Sequence, residues 1–229
     1  MTESRIVSHE EWLKARTAFM AKEKAFMRMR EELARERREL PWERVDKDYA
    51  FEAPEGHVSL ADLFGSKSQL VVYHFMFGPD YEEGCPSCSF WADNFNGIGV
   101  HLAARDTALV GVSRAPLARF EPYRKRMGWT FRWVSSEGCD FNYDYGVSRR
   151  PDEKSMSYNY GTIQRSADEH PGISAFIEED GAVFHTYSTY ARGLDVVNGA
   201  YHLLDLTAKG RQEEGLPFPM AWVRRHDRY

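Results

Sequence analysis

"GCPSCSFWADNF", Gly84–Phe95, sets two cysteines three positions apart, with Pro86 and Ser87 between them. Directly before it runs "QLVVYHFMF", Gln69–Phe77, an apolar stretch that reads as a strand. Directly after it, Trp91, Phe95, Ile98 and Leu102 recur at helical spacing. A C-x-x-C pair at a strand-to-helix junction has a definite chemical use. The first cysteine sits where unpaired backbone N–H groups and the helix dipole stabilise a thiolate. The second lies about one turn on, within reach of a disulfide. Cys85 is then the exposed nucleophile, and Cys88, half covered by the helix, resolves the mixed disulfide. Pro86 suits the first turn, where its missing N–H costs nothing. Asp80, Glu82 and Glu83 stand just upstream. Nearby carboxylates raise a thiol's pKa, so Cys85 is expected to be only moderately acidic.

Two other readings of the pair stay open. Structural zinc wants four ligands, and the sequence has no second C-x-x-C and no H-x-x-x-H. Cys139 with His74 or His101 could complete a metal site only by tertiary accident. No metal and no bound cofactor are expected. The stronger alternative is a non-enzymatic module, with both cysteines as small packed residues and a small molecule or protein partner bound elsewhere.

Composition narrows the classes. Of 229 residues, 42% are hydrophobic and 14% aromatic, enough for a sizeable core. The net charge of -5, from 30 basic and 35 acidic residues, gives no electrostatic case for nucleic acid or an anionic membrane. No run approaches a membrane span, and the N-terminal stretch has no apolar segment of signal-peptide type. A cytoplasmic location is expected. Three cysteines are too few for a disulfide scaffold, and in a reducing compartment a close pair is more often redox-active or metal-binding.

The chain opens with a predicted helical arm over residues 1–45. Ser8 and Glu11 form an S-x-x-E capping box, and Pro41 marks the helix end. Trp12, Phe19, Phe26, Leu33 and Leu40 repeat every seven residues, with Leu13, Met20 and Met27 beside them. That stripe suits either the chain's own domain or a second subunit, and a homodimer is expected. Residues 46–210 form the main domain. "FEAPEGHVSL" reads as a hairpin with Glu55-Gly56 at its turn, and "ALVGVS" (108–113) as a second buried strand. Residues 116–127 read as a helix interrupted by Pro122, and "TFRWVSS" as a short strand. Residues 135–170 are a long polar, Tyr-rich loop. "GISAFIEEDGAVFHTYS" is a hairpin turning at Asp180-Gly181. Residues 193–206 are a helix with Val196, Val197, Ala200, Tyr201 and Leu204 inward. The tail, 211–229, is expected to dock through Phe218 and Trp222. The order predicts a mixed α/β sheet with helices on both faces.

This order, with "GCPSCSFWADNF", resembles a thioredoxin-like fold. "YHFMFGPDYEEGCPSCSFWADNF", "LVGVSRAPLARFEPYRKRMGWTFRWVSS", "DFNYDYGVS", "VFHTYSTYARGLDVVNGAYHLLDLTAKGR" and "MAWVRRHDRY" resemble the bacterial domain-of-unknown-function family numbered 899 over nearly the whole chain. The resemblance implies a thioredoxin-like dithiol–disulfide oxidoreductase, with its substrate and electron donor unspecified. Thioredoxins carry a cis-proline in a G-I-P-T-like turn opposite the cysteines. The corresponding stretch here is "GISAF", with Ser174 in the proline's place, which argues against ordinary protein-disulfide reduction. Peroxiredoxins carry P-x-x-x-T-x-x-C. Here Pro79 precedes Cys85 by six residues with no Thr between.

Candidate substrate contacts are Pro86, Ser87 and Trp91 beside the dithiol, Ser174 across from it, and His185 with Tyr187. Strand alternation puts His185 and Tyr187 on one face, with Thr186 and Ser188 on the other. His74 reads as a satisfied core histidine and Cys139 as an unpaired thiol.

Overall fold

The computed structural model describes residues 5–229, so the first four residues of the expected arm lie outside the described residues. The chain divides into two units, Met1–Pro41 and Trp42–Tyr229. The division falls before residue 45 because Glu43 and Arg44 pair into the second unit's sheet. Strand β1 (Glu43–Arg44) pairs with residues 184–185, and the Trp42 ring lies 5.8 Å from Phe184.

The described residues of the first unit form one helix, α1 (His9–Arg38), 30 residues and about 45 Å long. Its capping box is formed: Glu11 N–H donates to Ser8 Oγ at 3.3 Å, and Ser8 N–H to Glu11 Oε2 at 3.2 Å. Arg35, Arg37 and Arg38 in the last turn complement the helix dipole. The helix buries none of its residues, and Trp12, Phe19 and Phe26 are more than half exposed.

The second unit is built on an eight-stranded sheet in the order β1-β10-β9-β4-β5-β6-β2-β3. Its strands are β2 (Ala50–Ala53), β3 (Gly56–Ser59), β4 (Gln69–His74), β5 (Thr107–Ser113), β6 (Arg132–Ser135), β9 (Gly172–Glu179) and β10 (Ala182–Tyr190). β4, β5 and β6 are mutually parallel. β9 runs antiparallel to β4, and β10 antiparallel to β9. The helices are α2 (Pro86–Phe95), α3 (Gly99–Ala103), α4 (Leu117–Arg126), α5 (Phe141–Asp144) and α6 (Gly199–Asp205). The unit β4–α2–β5, followed by the antiparallel β9–β10 pair and α6, is the thioredoxin-like arrangement, with the cysteines at the start of α2.

Alternation along β4 divides the core. Tyr73, with Phe75 just beyond the strand, packs with Cys88, Trp91, Phe95, Phe120, Tyr123 and Tyr201 on the face covered by α2, α4 and α6. Leu70 and Val72 face the other side, with Val110, Val112, Val134, Phe176 and Phe141. Apolar residues in register on both faces explain why these strands read as nearly continuous hydrophobic runs.

Several local expectations change. β4 ends at His74, and residues 75–85 form an irregular link to α2. α2 stops at Phe95 because Gly97 takes φ +88°, a conformation that favours glycine, so Ile98 falls off the inner face and is 38% exposed. Residues 191–197 form a 3-10 turn, and α6 starts only after Asn198, whose side chain accepts from Tyr201 N–H at 3.0 Å. Val196 and Val197 are therefore exposed, and so is Phe218. The long polar loop contains α5 and a small hairpin, β7 (Met156–Tyr158) with β8 (Ile163–Arg165). No helix among the described residues is long and apolar enough to cross a membrane.

Candidate functional site

Cys85 is the N-cap residue of α2, and Pro86 occupies the first helical turn. The link before it is pinned: Cys85 N–H donates to Met76 O at 3.0 Å. The helix start is pinned as well. Ser89 N–H and Ser89 Oγ both donate to Cys85 O, at 2.9 and 2.8 Å, and Tyr73 OH donates to Cys88 O at 3.0 Å. Cys85 is partly exposed, and Cys88 is buried at 2%.

The two thiols are inequivalent. The Cys88 thiol donates to the Cys85 sulfur, and this is the largest influence lowering the Cys85 pKa, to about 7. Burial opposes it. The backbone N–H groups of Ser87 and Cys88 face the sulfur and favour the thiolate, although neither forms a capping hydrogen bond by geometry. Arg225 adds its positive charge. Cys88 moves the other way: burial pushes it well above the ordinary thiol value, and donation to Cys85 adds to the shift.

Of the three upstream carboxylates, Glu83 is neutralised by its neighbours. Glu83 is clamped by three guanidinium groups: Arg126 at 2.5 Å, Arg225 at 3.0 Å and Arg228 at 2.5 Å. Its negative charge is more than balanced, and its own pKa lies below the ordinary value, chiefly through the Arg126 bond. Arg225 also donates to Gly84 O, at 2.8 Å from Nη2. Gly84 is required by space: a Cβ there would stand 2.5 Å from the Phe75 ring and 2.8 Å from Tyr123. The tail supplies two arms of this clamp, Arg225 and Arg228, and the end of α4 supplies the third, Arg126. The tail is seated by Trp222, whose ring lies 5.6 Å from Phe90, and by Glu213, which accepts from Trp222 Nε1 at 2.9 Å and Tyr201 OH at 2.6 Å.

Cys85, Ser87, Cys88 and Trp91 line one cleft with Met76, Tyr158, His170 and Pro171. Trp91 is fixed by its Nε1–H bond to Leu194 O at 2.9 Å. His170 is buried, and burial lowers its pKa to about 4. Pro86 flanks the pair on α2.

Three expected contacts lie elsewhere. Ser174 pairs in register with Val72, on the sheet face away from Tyr73 and Cys88. His170 and Pro171, immediately before β9, line the dithiol cleft in its place. No cis peptide occurs among the described residues. Ser174 belongs to a buried chain of hydrogen bonds: His74 Nε2 to Ser174 Oγ at 2.8 Å, Ser174 Oγ to Ser188 Oγ at 2.8 Å, and Ser188 Oγ to His185 Nε2 at 2.7 Å. His185 shares this side with Ser188 because β10 carries a bulge between His185 and Tyr187, which breaks the alternation. His185 stacks edge-on to Tyr145 at 5.2 Å, and neither His185 nor Tyr187 lines the dithiol cleft. Cys139 packs with the Val72 side of the core. Among the described residues, no group of three or more His, Cys, Asp or Glu side chains could hold a metal ion.

The sequence reading missed Arg225, His170 and Pro171. The "HP" dipeptide just ahead of the β9 run and the basic "VRRHDR" tail were the available signals.

The sequence profile of a family of bacterial proteins of unknown function, DUF899, matches residues 1–229. This chain belongs to the DUF899 family. No curated protein is significantly similar to it. Among solved structures, the DUF899 chain is similar to the peroxidoxin BcpB of Mycobacterium tuberculosis, at 14% identity and TM-score 0.49 over 72% of this chain and 97% of that one. It is similar to a Xanthomonas campestris peroxiredoxin Q at 15% identity and TM-score 0.46, over 70% and 95% of the two chains. A hypothetical protein of Sinorhizobium meliloti, SMc02350, matches at 14% identity and TM-score 0.44, over 73% and 82%.

Proposed function

We propose that this DUF899 chain is a thiol–disulfide oxidoreductase with Cys85 as nucleophile and Cys88 as resolving thiol. The observation that carries the reading is the inequivalence of the pair. A partly exposed N-cap thiol with a pKa lowered to about 7 stands against a buried partner pushed up. A scaffold that merely packs two small side chains has no need of it.

The Cys85 thiolate attacks one sulfur of a substrate disulfide. That S–S bond breaks, the first substrate sulfur leaves as a thiolate, and a mixed disulfide forms at Cys85. Cys88 then gives up its proton and attacks Cys85 Sγ, expelling the second substrate sulfur. The protein is left with a Cys85–Cys88 disulfide, and two electrons have passed to the substrate. An external dithiol restores the reduced pair. Sulfur carries both electrons, so the cycle needs no bound cofactor. A cytoplasmic setting suits a chain with three cysteines, and a homodimer through the α1 stripe suits its exposed apolar face.

The test is trapping. Cys88→Ser, mixed with a small disulfide, should accumulate a mixed disulfide at Cys85 detectable by mass, and Cys85→Ser should form none. If Cys88→Ser traps nothing while Cys85 alkylates no faster than a free thiol, the chain is a binding module instead.

A further inference from the structure

The dithiol does not stand on an open ridge. It forms the floor of a cleft of about 540 Å³, within the range of small-molecule sites. Two segments outside the β4–α2–β5–β9–β10–α6 core wall it in. One is the stretch from β7 to Pro171, which contributes Tyr158, Arg165, His170 and Pro171. The other is the tail, through Pro219 and Met220. Extended protein chains are bound by laying backbone along an open edge or groove, whereas here both segments line the cleft together with the cysteines.

The walls are mostly apolar, with one charge left over at the mouth. Arg192 is held by Asp195 at 2.6 Å. Arg165 is exposed and forms no ion pair among the described residues. Its positive charge acts on both Tyr158 and His170 in the same wall. His170 Nε2 is buried without a hydrogen-bond partner, a second polar group in this wall that the chain itself does not satisfy. An apolar slot with a free guanidinium at its rim complements a small molecule with a hydrophobic body and a carboxylate.

We infer that the substrate of the dithiol is a low-molecular-weight disulfide bearing a carboxylate, which seats its body over Trp91 and Met220 and its charge against Arg165, rather than a protein disulfide. This rests on the oxidoreductase reading and adds the substrate class to it. The electron balance is unchanged: the small disulfide is cleaved to two thiols, and the protein pair is oxidised.

The experiment mixes reduced full-length protein, in single turnover, with three oxidants: dithiobis-nitrobenzoate (carboxylated), dithiodipyridine (uncharged) and insulin (a protein disulfide). Each rate is divided by that of dithiothreitol with the same oxidant, which removes intrinsic electrophilicity. The carboxylated disulfide should be favoured over insulin by about tenfold or more, and Arg165→Gln should lower its rate about fivefold while leaving the dipyridine rate unchanged. A normalised insulin rate equal to that of the carboxylated disulfide overturns the inference, as does an Arg165→Gln effect equal on both small oxidants. If none of the three oxidises the pair, the oxidoreductase reading itself falls.

Discussion

Cys85 owes its acidity to neighbours at several sequence distances: Cys88 three residues on, the first N–H groups of α2, and Arg225 on the tail. Iodoacetamide alkylation should follow the thiolate fraction and reach half its maximal rate near pH 7, against about 8.5 for a model thiol. Cys88, buried and pushed up, should alkylate far more slowly. A half-maximal pH for Cys85 at or above the model value would remove the basis of the proposed chemistry. Arg225→Gln deletes one favourable charge and two donors to Gly84 O and should slow alkylation at pH 7 about threefold. An unchanged rate would mean that the tail only packs. The motif itself was legible: C-x-x-C, Pro at the first turn and an apolar run before it suffice to place a helix N-terminus. The neutralisation of Glu83 was not, because the arginines that clamp it arrive from residues more than 40 positions away.

The link between β4 and α2 is an element whose geometry leaves no slack. Gly84→Ala would drive a methyl into Phe75 and Tyr123, so it should destabilise the fold by about 1–3 kcal/mol and lower the melting temperature by several degrees. Wild-type stability in that variant would show that the rings can move aside. On the opposite sheet face, Ser174→Ala removes the partner of both His74 Nε2 and Ser188 Oγ. His74 is buried and held neutral, its pKa lowered to about 3 by desolvation, so the orphaned ring nitrogen should cost about 1–3 kcal/mol in denaturant unfolding. The dithiol's reactivity should stay as it was, because Ser174 faces away from it. A changed alkylation rate in Ser174→Ala would instead tie it to the redox site. Strand periodicity located β9 and β10, with their Asp180-Gly181 turn, but a period of two has no way to announce a bulge. One extra residue before Tyr187 therefore reversed the predicted partners of His185 and Ser188.

For the molecule as a whole, the apolar stripe of α1 stands exposed among the described residues. Heptad-spaced aromatics on an isolated helix gain little from staying in water. Phe19→Glu with Phe26→Glu in the full chain should convert a dimer to a monomer in sedimentation analysis, without changing Cys85 alkylation. A wild-type chain that already sediments as a monomer at micromolar concentration rules the pairing out. The capping box, the stripe and the helix end were all plain in the sequence because they are local. The division at Pro41 was not, since β1 is only two residues long and is defined by its pairing with β10. The cleft walls were invisible for the same reason: which residues of a 36-residue polar stretch and a tail meet over a dithiol is decided by tertiary packing alone.

The inequivalence of the two thiols also fixes how the pair's reduction potential should depend on pH. Below about pH 7 the reduced form carries two protons, so reduction takes up two protons with its two electrons. Above it, Cys85 is already a thiolate, and only Cys88 binds a proton. The midpoint potential should therefore fall by about 59 mV per pH unit on the acid side and by about 30 mV per unit on the alkaline side. The bend in that line, found by equilibrating with glutathione at a series of pH values, reads the Cys85 pKa without touching the sulfur chemically. Across the physiological range the disulfide's oxidising strength would then be less sensitive to pH than that of a pair whose thiols both stay protonated.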